Sequence, residues 1–235
     1  MNDAHIVTSF DRDLEAIQAM LMKMGGLVET AIVNGAKSLE TRDLELAEEV
    51  RKGDKAIDAL EEQVNEEATR LIALRAPAAS DLRTVMTVIK ISANLERVGD
   101  YAKNMAKRTT VLAEVGQVGS APIAIRKMAR EVQLMLNDVL DAYIQRDASL
   151  AEQIIERDED VDQFYNALFR ELLTHMMEDP RNITPCMHLH FIAKNVERMG
   201  DHVTNIAEQV VYLVTGKLPD DNRMKQDETS YISEG

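Results

Sequence analysis

The chain has 235 residues, with 27 Lys and Arg against 41 Asp and Glu and a formal net charge of −14. That balance argues against nucleic acid or an anionic membrane as a direct partner and suits cations or basic protein surfaces. Apolar residues make up 45% and aromatics only 4%, Trp is absent and Gly and Pro are few, so a core of Leu, Ile, Val, Ala and Met in helices is favoured over many turn-linked strands.

The single cysteine, Cys186, allows no internal disulfide, which fits a reducing compartment. The polar, acidic start of the chain is unlike a signal peptide. No apolar run in the sequence approaches the roughly 20 residues of a membrane span. A soluble, cytoplasmic protein is expected.

Periodicity predicts six long helices. The first covers about residues 10–40 and contains Gly25-Gly26, which implies a kink or a close helix contact. The second starts near Asp43 and ends before Pro77. The third takes Ser80 as its N-cap and ends before Gly116. The fourth and fifth cover about 122–145 and 147–177. Thr184-Pro185, a cap followed by Pro at the first helical position, opens the sixth, which Gly216 closes. Residues 217–235 lack periodicity and are expected to be a disordered tail.

Within this pattern one polar phrase occurs twice. Asn94-Leu95-Glu96-Arg97-Val98-Gly99-Asp100 with Asn104 returns as Asn195-Val196-Glu197-Arg198-Met199-Gly200-Asp201 with Asn205, 101 residues later. Upstream, Arg42-Asp43, Asp54 and Asp58 answer Arg146-Asp147, Asp158 and Asp162 at an offset of 104. The change of offset is a three-residue loss, placed in the loop between the second and third helices of the second copy. The expected fold is therefore all-α, two tandem duplicated three-helix bundles over residues 1–116 and 117–216, followed by the tail 217–235.

At about 100° per residue, Val88, Ile91, Leu95, Val98, Ala102 and Met105 form a core seam, repeated by Leu189, Ile192, Val196, Met199, Val203 and Ile206. Glu96, Asp100 and Asn104, and their copies Glu197, Asp201 and Asn205, fall roughly opposite these seams. Asp54 and Asp58 flank the seam of the second helix, as Asp158 and Asp162 flank that of the fifth. The acids are thus expected on the outside of each bundle or in a groove between helices, not in a bundle centre. A ferritin-like di-iron core is excluded on that ground and by the absence of Glu-x-x-His.

Carboxylates one turn apart project side by side and repel unless a cation lies between them. Such oxygen-rich pairs suit Mg, Ca, Mn or ferric iron, and zinc less well. An isolated acid pair in so acidic a chain is ordinarily a solvated helix face. It is the duplication that points to metal or partner binding at Glu96, Asp100, Glu197 and Asp201, and more weakly at Asp54, Asp58, Asp158 and Asp162. Asn104 and Asn205 are the weakest ligand candidates. Arg97 and Arg198 are placed to orient the Glu beside them, while Gly99 and Gly200 leave room for a neighbouring helix or an ion. His188 and His190 do not share a face, Cys186 reads as a buried thiol, and no nucleophile–base constellation is evident.

Two copies of Glu-Arg-x-Gly-Asp on paired three-helix units resemble the PhoU family of phosphate-transport accessory proteins. Met24-Gly25-Gly26-Leu27-Val28-Glu29, Ala79-Ser80-Asp81-Leu82-Arg83 and Met176-Met177-Glu178-Asp179 carry the same likeness, which runs from about Phe10 to Leu213. The resemblance implies two similar bundles, often in a homodimer. It also implies surface Mg, Mn, Fe or Zn sites on Glu96 and Asp100, Glu197 and Asp201, Asp54 and Asp58, and Asp158 and Asp162. The implied role is non-enzymatic. It is negative regulation of the phosphate-starvation response, linking the ATPase subunit of the phosphate ABC transporter to a sensor histidine kinase, without insertion in the membrane. The alternatives are a carboxylate-metal-dependent enzyme and a purely structural helical scaffold.

Overall fold

In the computed structural model, which describes residues 2–116 and 118–219, six long helices carry the fold and no strand is present among those residues. They are α1 (Asn2–Thr41), α2 (Leu44–Arg75), α3 (Ala79–Leu112), α4 (Ala121–Gln145), α5 (Ala148–Glu178) and α6 (Ile183–Thr215). Most of the expected tail lies outside the described residues.

The duplication is visible in the turns. Arg42 and Arg146 both adopt a left-handed backbone, with φ of 56° and 52°. Each is followed by an Asp N-cap: Asp43 accepts from Leu46 N at 2.9 Å and Asp147 from Leu150 N at 3.0 Å. Repeated Arg-Asp is thus one helix–turn–helix joint used twice. Gly216 closes α6 in the left-handed conformation, φ 77°, as the sequence implied.

Two expected caps are corrected. Ser80 lies inside α3, whose N-cap is Ala78 with no side-chain hydrogen bond. Thr184 lies inside α6, because a 3-10 turn, Pro180–Asn182, precedes it and makes Asn182 the N-cap. By the 101-residue offset this turn stands where α3 has its first turn. The three-residue loss has thus removed the counterpart of the α2–α3 connection.

Helices α1–α3 pack on one another, as do α4–α6, and the two bundles meet along α1–α4 and α3–α6. Both cross-bundle pairs run antiparallel: between α1 and α4 Gln18 bonds Tyr143 while Glu29 accepts from Gln133, and between α3 and α6 Asn94 bonds His202 while Arg108 bonds His188. The predicted seams of α3 and α6 are buried throughout and belong to one apolar cluster that runs through both bundles, beside a small second cluster of Ala47, Val50 and Ala106. Gly25 is a close-contact glycine, since a Cβ there would lie 2.5 Å from Leu140 Cδ1 of α4, whereas Gly26 has open space.

One expectation about membranes is corrected. The span Ser9–Thr41 is, by length and hydropathy, apolar enough to cross a bilayer. Its Ile17, Leu21, Met24, Val28, Ile32, Ala36 and Leu39 are buried in the shared core, so one face of this apolar helix is taken up by packing within the protein.

Candidate functional site: two duplicated carboxylate clusters

Each phrase containing Glu-Arg-x-Gly-Asp lies at a close approach of two helices of one bundle. At Gly99 on α3, a Cβ would lie 3.0 Å from Ile57 Cδ1 and 3.9 Å from Asp54 Oδ1 on α2. At Gly200 on α6, a Cβ would lie 2.9 Å from Asp158 Oδ1 and 3.4 Å from Val161 Cγ1 on α5. The missing side chain brings an acid pair of the neighbouring helix to the Glu and Asp of the glycine's own helix. Asp54 and Asp58 thereby join Glu96 and Asp100, and Asp158 and Asp162 join Glu197 and Asp201.

Burial separates the acids of each cluster. Asp54 is 3% exposed and Glu197 6% exposed, so one acid of each cluster is sunk in the interhelical groove rather than displayed on the outside. Asp58 is exposed, and Glu96, Asp100, Asp158, Asp162 and Asp201 are half-buried.

The electrostatics follow from this crowding. Burial above all raises the Asp54 carboxyl; a hydrogen bond from Lys103 pulls it back, and Asp58 and Asp100 add to the rise. Glu96 is raised by burial, then by Asp100, against the opposing charge of Arg97. Glu197 is raised by burial, opposed by Lys194, and raised further by Asp201 and Asp162. Asp54 and Glu96 thus each feel the charges of Asp58 and Asp100, and Glu197 those of Asp201 and Asp162.

The internal counter-charges differ. In the first bundle Lys103 Nζ contacts Asp54 Oδ2 and lies 3.3 Å from Asp100 Oδ1, while Arg97 lies 3.4 Å from Glu96 and 3.5 Å from Asp100. In the second, Lys194 Nζ lies 3.0 Å from Glu197 Oε1. The position equivalent to Lys103 is Thr204, and that equivalent to Lys194 is Ala93. The acids are duplicated, but the lysine that neutralises them is not.

Asp54 Oδ1 and Glu197 Oε2 remain buried with no hydrogen-bond partner. A buried carboxylate oxygen without a donor is costly, and a hard cation coordinated there would satisfy it. The donor sets are all oxygen and fit such an ion. Among the described residues, however, no three His, Cys, Asp or Glu side chains stand converged as a metal cage. A cation would therefore draw the acids inward from these rotamers.

Asn104 and Asn205 depart from the acid faces. The position i+8 lies about 80° round the helix from i, against about 40° for i+4, and this drift carries both into the α3–α6 seam. Asn205 Nδ2 donates to Asn94 Oδ1 at 3.4 Å, and His202 Nδ1 donates to the same oxygen at 2.8 Å. Asn104 lines a groove with Asn195 and His188. The first Asn of each phrase thus serves the joint between bundles rather than the acid cluster. A stripe at a spacing of seven marks that face in the sequence, Asn94, Tyr101 and Arg108 on α3 and Asn195, His202 and Gln209 on α6.

Known proteins share this architecture. The PhoU domain matches residues 21–109 and 125–210. A phosphate-specific transport system accessory protein PhoU homolog from Rhizobium meliloti (strain 1021) is 47% identical over 99% of this chain and 98% of its own length. One from Caulobacter vibrioides (strain NA1000 / CB15N) is 45% identical over 95% and 97%. The crystal structure of PhoU from Pseudomonas aeruginosa superposes with a TM-score of 0.86 at 40% identity, covering 88% of this chain and all of that one. The phosphate transport system regulatory protein PhoU from Streptococcus pneumoniae gives 0.82 at 31% identity, covering 90% and 99%.

Proposed function

The chain belongs to the PhoU domain family, and on that premise we propose that it is an accessory protein of a phosphate-specific transport system, acting as a negative regulator of the phosphate-starvation response. The observation that carries this reading is the extent of the correspondence: the Rhizobium meliloti relative aligns over 98% of its own length at 47% identity. The protein works as a non-catalytic adaptor in the cytoplasm, as a homodimer, between the ATPase subunit of the phosphate ABC transporter and the sensor histidine kinase.

The carboxylate clusters serve this role as cation sites. Asp54, Asp58, Glu96 and Asp100 hold an ion in the first bundle, and Asp158, Asp162, Glu197 and Asp201 hold one in the second, with Mg, Mn, Fe or Zn as candidates. The unpartnered oxygens of Asp54 and Glu197 support the reading. The ion supplies positive charge that neutralises the cluster and ties α2 to α3 and α5 to α6, which stiffens each bundle as a docking body.

Co-purification of the tagged chain from phosphate-replete cells tests the adaptor role; recovery of neither the ATPase subunit nor the kinase overturns it. Elemental analysis of the purified protein beside a Glu96→Ala/Asp100→Ala/Glu197→Ala/Asp201→Ala variant tests the ion sites. Stoichiometric metal in the parent and none in the variant is expected. A phosphatase rate abolished by Asp100→Ala would instead favour a metal-dependent enzyme.

A further inference from the structure

The two ends of the α3–α6 seam are copies of one another, and they have diverged. At one end Asn205 donates to Asn94 Oδ1, His202 donates to the same oxygen, and the Asn94 amide donates to the Lys90 carbonyl. At the other end the equivalent amides, Asn195 and Asn104, have no side-chain hydrogen-bond partner among the described residues. They instead line an open groove of about 390 Å³ with Lys107, Arg108, Val111 and His188. The offset of 101 pairs Lys107 with Glu208, Arg108 with Gln209 and His188 with Thr87. At these matched positions only this end carries two cations; the cations of the other end, Arg83 and Lys90, lie elsewhere, over the ring of Tyr212.

None of the six lining residues is acidic, in a chain of net charge −14. Lys107 and Arg108 have no carboxylate partner among the described residues. The guanidinium of Arg108 is held 4.4 Å over the Phe191 ring, and its Nη1 donates to His188 Nδ1 at 3.4 Å. That stacking fixes the plane of the fork and leaves further N–H donors for another acceptor. The groove thus presents two positive charges and two amide NH2 groups with no competing anion.

We propose that this groove binds a tetrahedral oxyanion, a phosphate or phosphoryl group, between the two bundles. Arg108 and Lys107 meet its charge, and Asn104 and Asn195 donate to its remaining oxygens. The proposal rests on the seam alone and stands whether or not the adaptor reading holds.

The test is isothermal titration of the full chain at constant ionic strength with inorganic phosphate, sulfate and adenosine monophosphate. The parent is compared with Lys107→Glu/Arg108→Gln, which copies the other end of the seam, and with Asn104→Asp, which adds a negative charge at an exposed position. Melting temperatures without ligand confirm that both variants fold. Saturable binding of any of the three ligands, weakened at least tenfold in both variants, is expected. Binding of phosphate identifies the free ion as the source, and binding of the nucleotide alone identifies a phosphoryl group carried on a larger molecule. No saturable binding by any of them, or affinity unchanged in the variants, overturns the proposal.

Discussion

The carboxylate of Asp158 occupies the space that Gly200 leaves empty: a Cβ on Gly200 would lie 2.9 Å from Asp158 Oδ1. The corresponding Gly99 is faced instead by Ile57, whose Cδ1 and Cγ2 would stand 3.0 and 3.3 Å away. One glycine protects the placement of an acid, the other the packing of a branched core residue. Alanine gains about 1 kcal/mol of helix propensity at either site. At Gly99 overpacking costs about 1–3 kcal/mol, so Gly99→Ala is expected to be net destabilising. Gly200→Ala is expected to change stability little but to displace Asp158 and shrink the cation-induced rise in melting temperature. Thermal unfolding with and without Mn checks both; an undiminished cation shift in Gly200→Ala refutes the assignment of Asp158.

Lys103 stands on Asp54 where a metal ion would compete with it. Removing the ammonium as Lys103→Met strands a carboxylate that is 3% exposed. Breaking a fully buried ion pair costs 3–5 kcal/mol, but Lys103 is 40% exposed, so a loss of about 1–2 kcal/mol near neutral pH is expected, read from urea unfolding in EDTA. A divalent cation should then restore more stability to the variant than it adds to the parent, because the ion enters a site the lysine has vacated. A variant no more responsive to Mg or Mn than the parent would show that Lys103 and the ion do not share a site.

The hydrophobic period made the helices legible. Seams such as Val88 to Met105 follow the wheel because each needs only one apolar face. The acid pairs were legible because duplication preserved them. The depth of Asp54 was not, since it depends on α3 presenting Gly99 and Ile57 filling the gap, and a helical wheel names faces without naming partners. The joint between bundles was missed for the same reason. Asn94 was read with Glu96, although the two lie about 200° apart on the helix, and the stripe Asn94, Tyr101, Arg108 was the available clue.

Cys186 is fully buried at the start of α6, and burial raises its thiol above the ordinary range. Thiolate is the reactive form, so native protein should resist a thiol reagent and react once unfolded, with protection lost along the unfolding curve. Rapid, stoichiometric labelling of native protein would contradict this packing.

Asp54, Glu96 and Glu197 all sit above their ordinary values of 3.8 and 4.5, so the folded protein holds these protons more tightly than the unfolded chain. Their contribution to stability is fully present below those ordinary values and is lost as pH rises through the raised folded ones. His202 acts in the opposite sense. Burial lowers it from 6.5 against the pull of Asp201, so its contribution is present above 6.5 and lost as pH falls through the lowered folded value. In EDTA the two trends oppose each other on acidification from about pH 7 to 5. His202→Gln removes one while keeping a side-chain donor near Asn94, and its urea midpoint should climb more steeply toward acid than that of the parent. Saturating divalent cation should flatten the climb, because it replaces the proton as counter-charge of the clusters. A midpoint in His202→Gln that falls on acidification over this range would show that the carboxylates are not crowded as the structure places them.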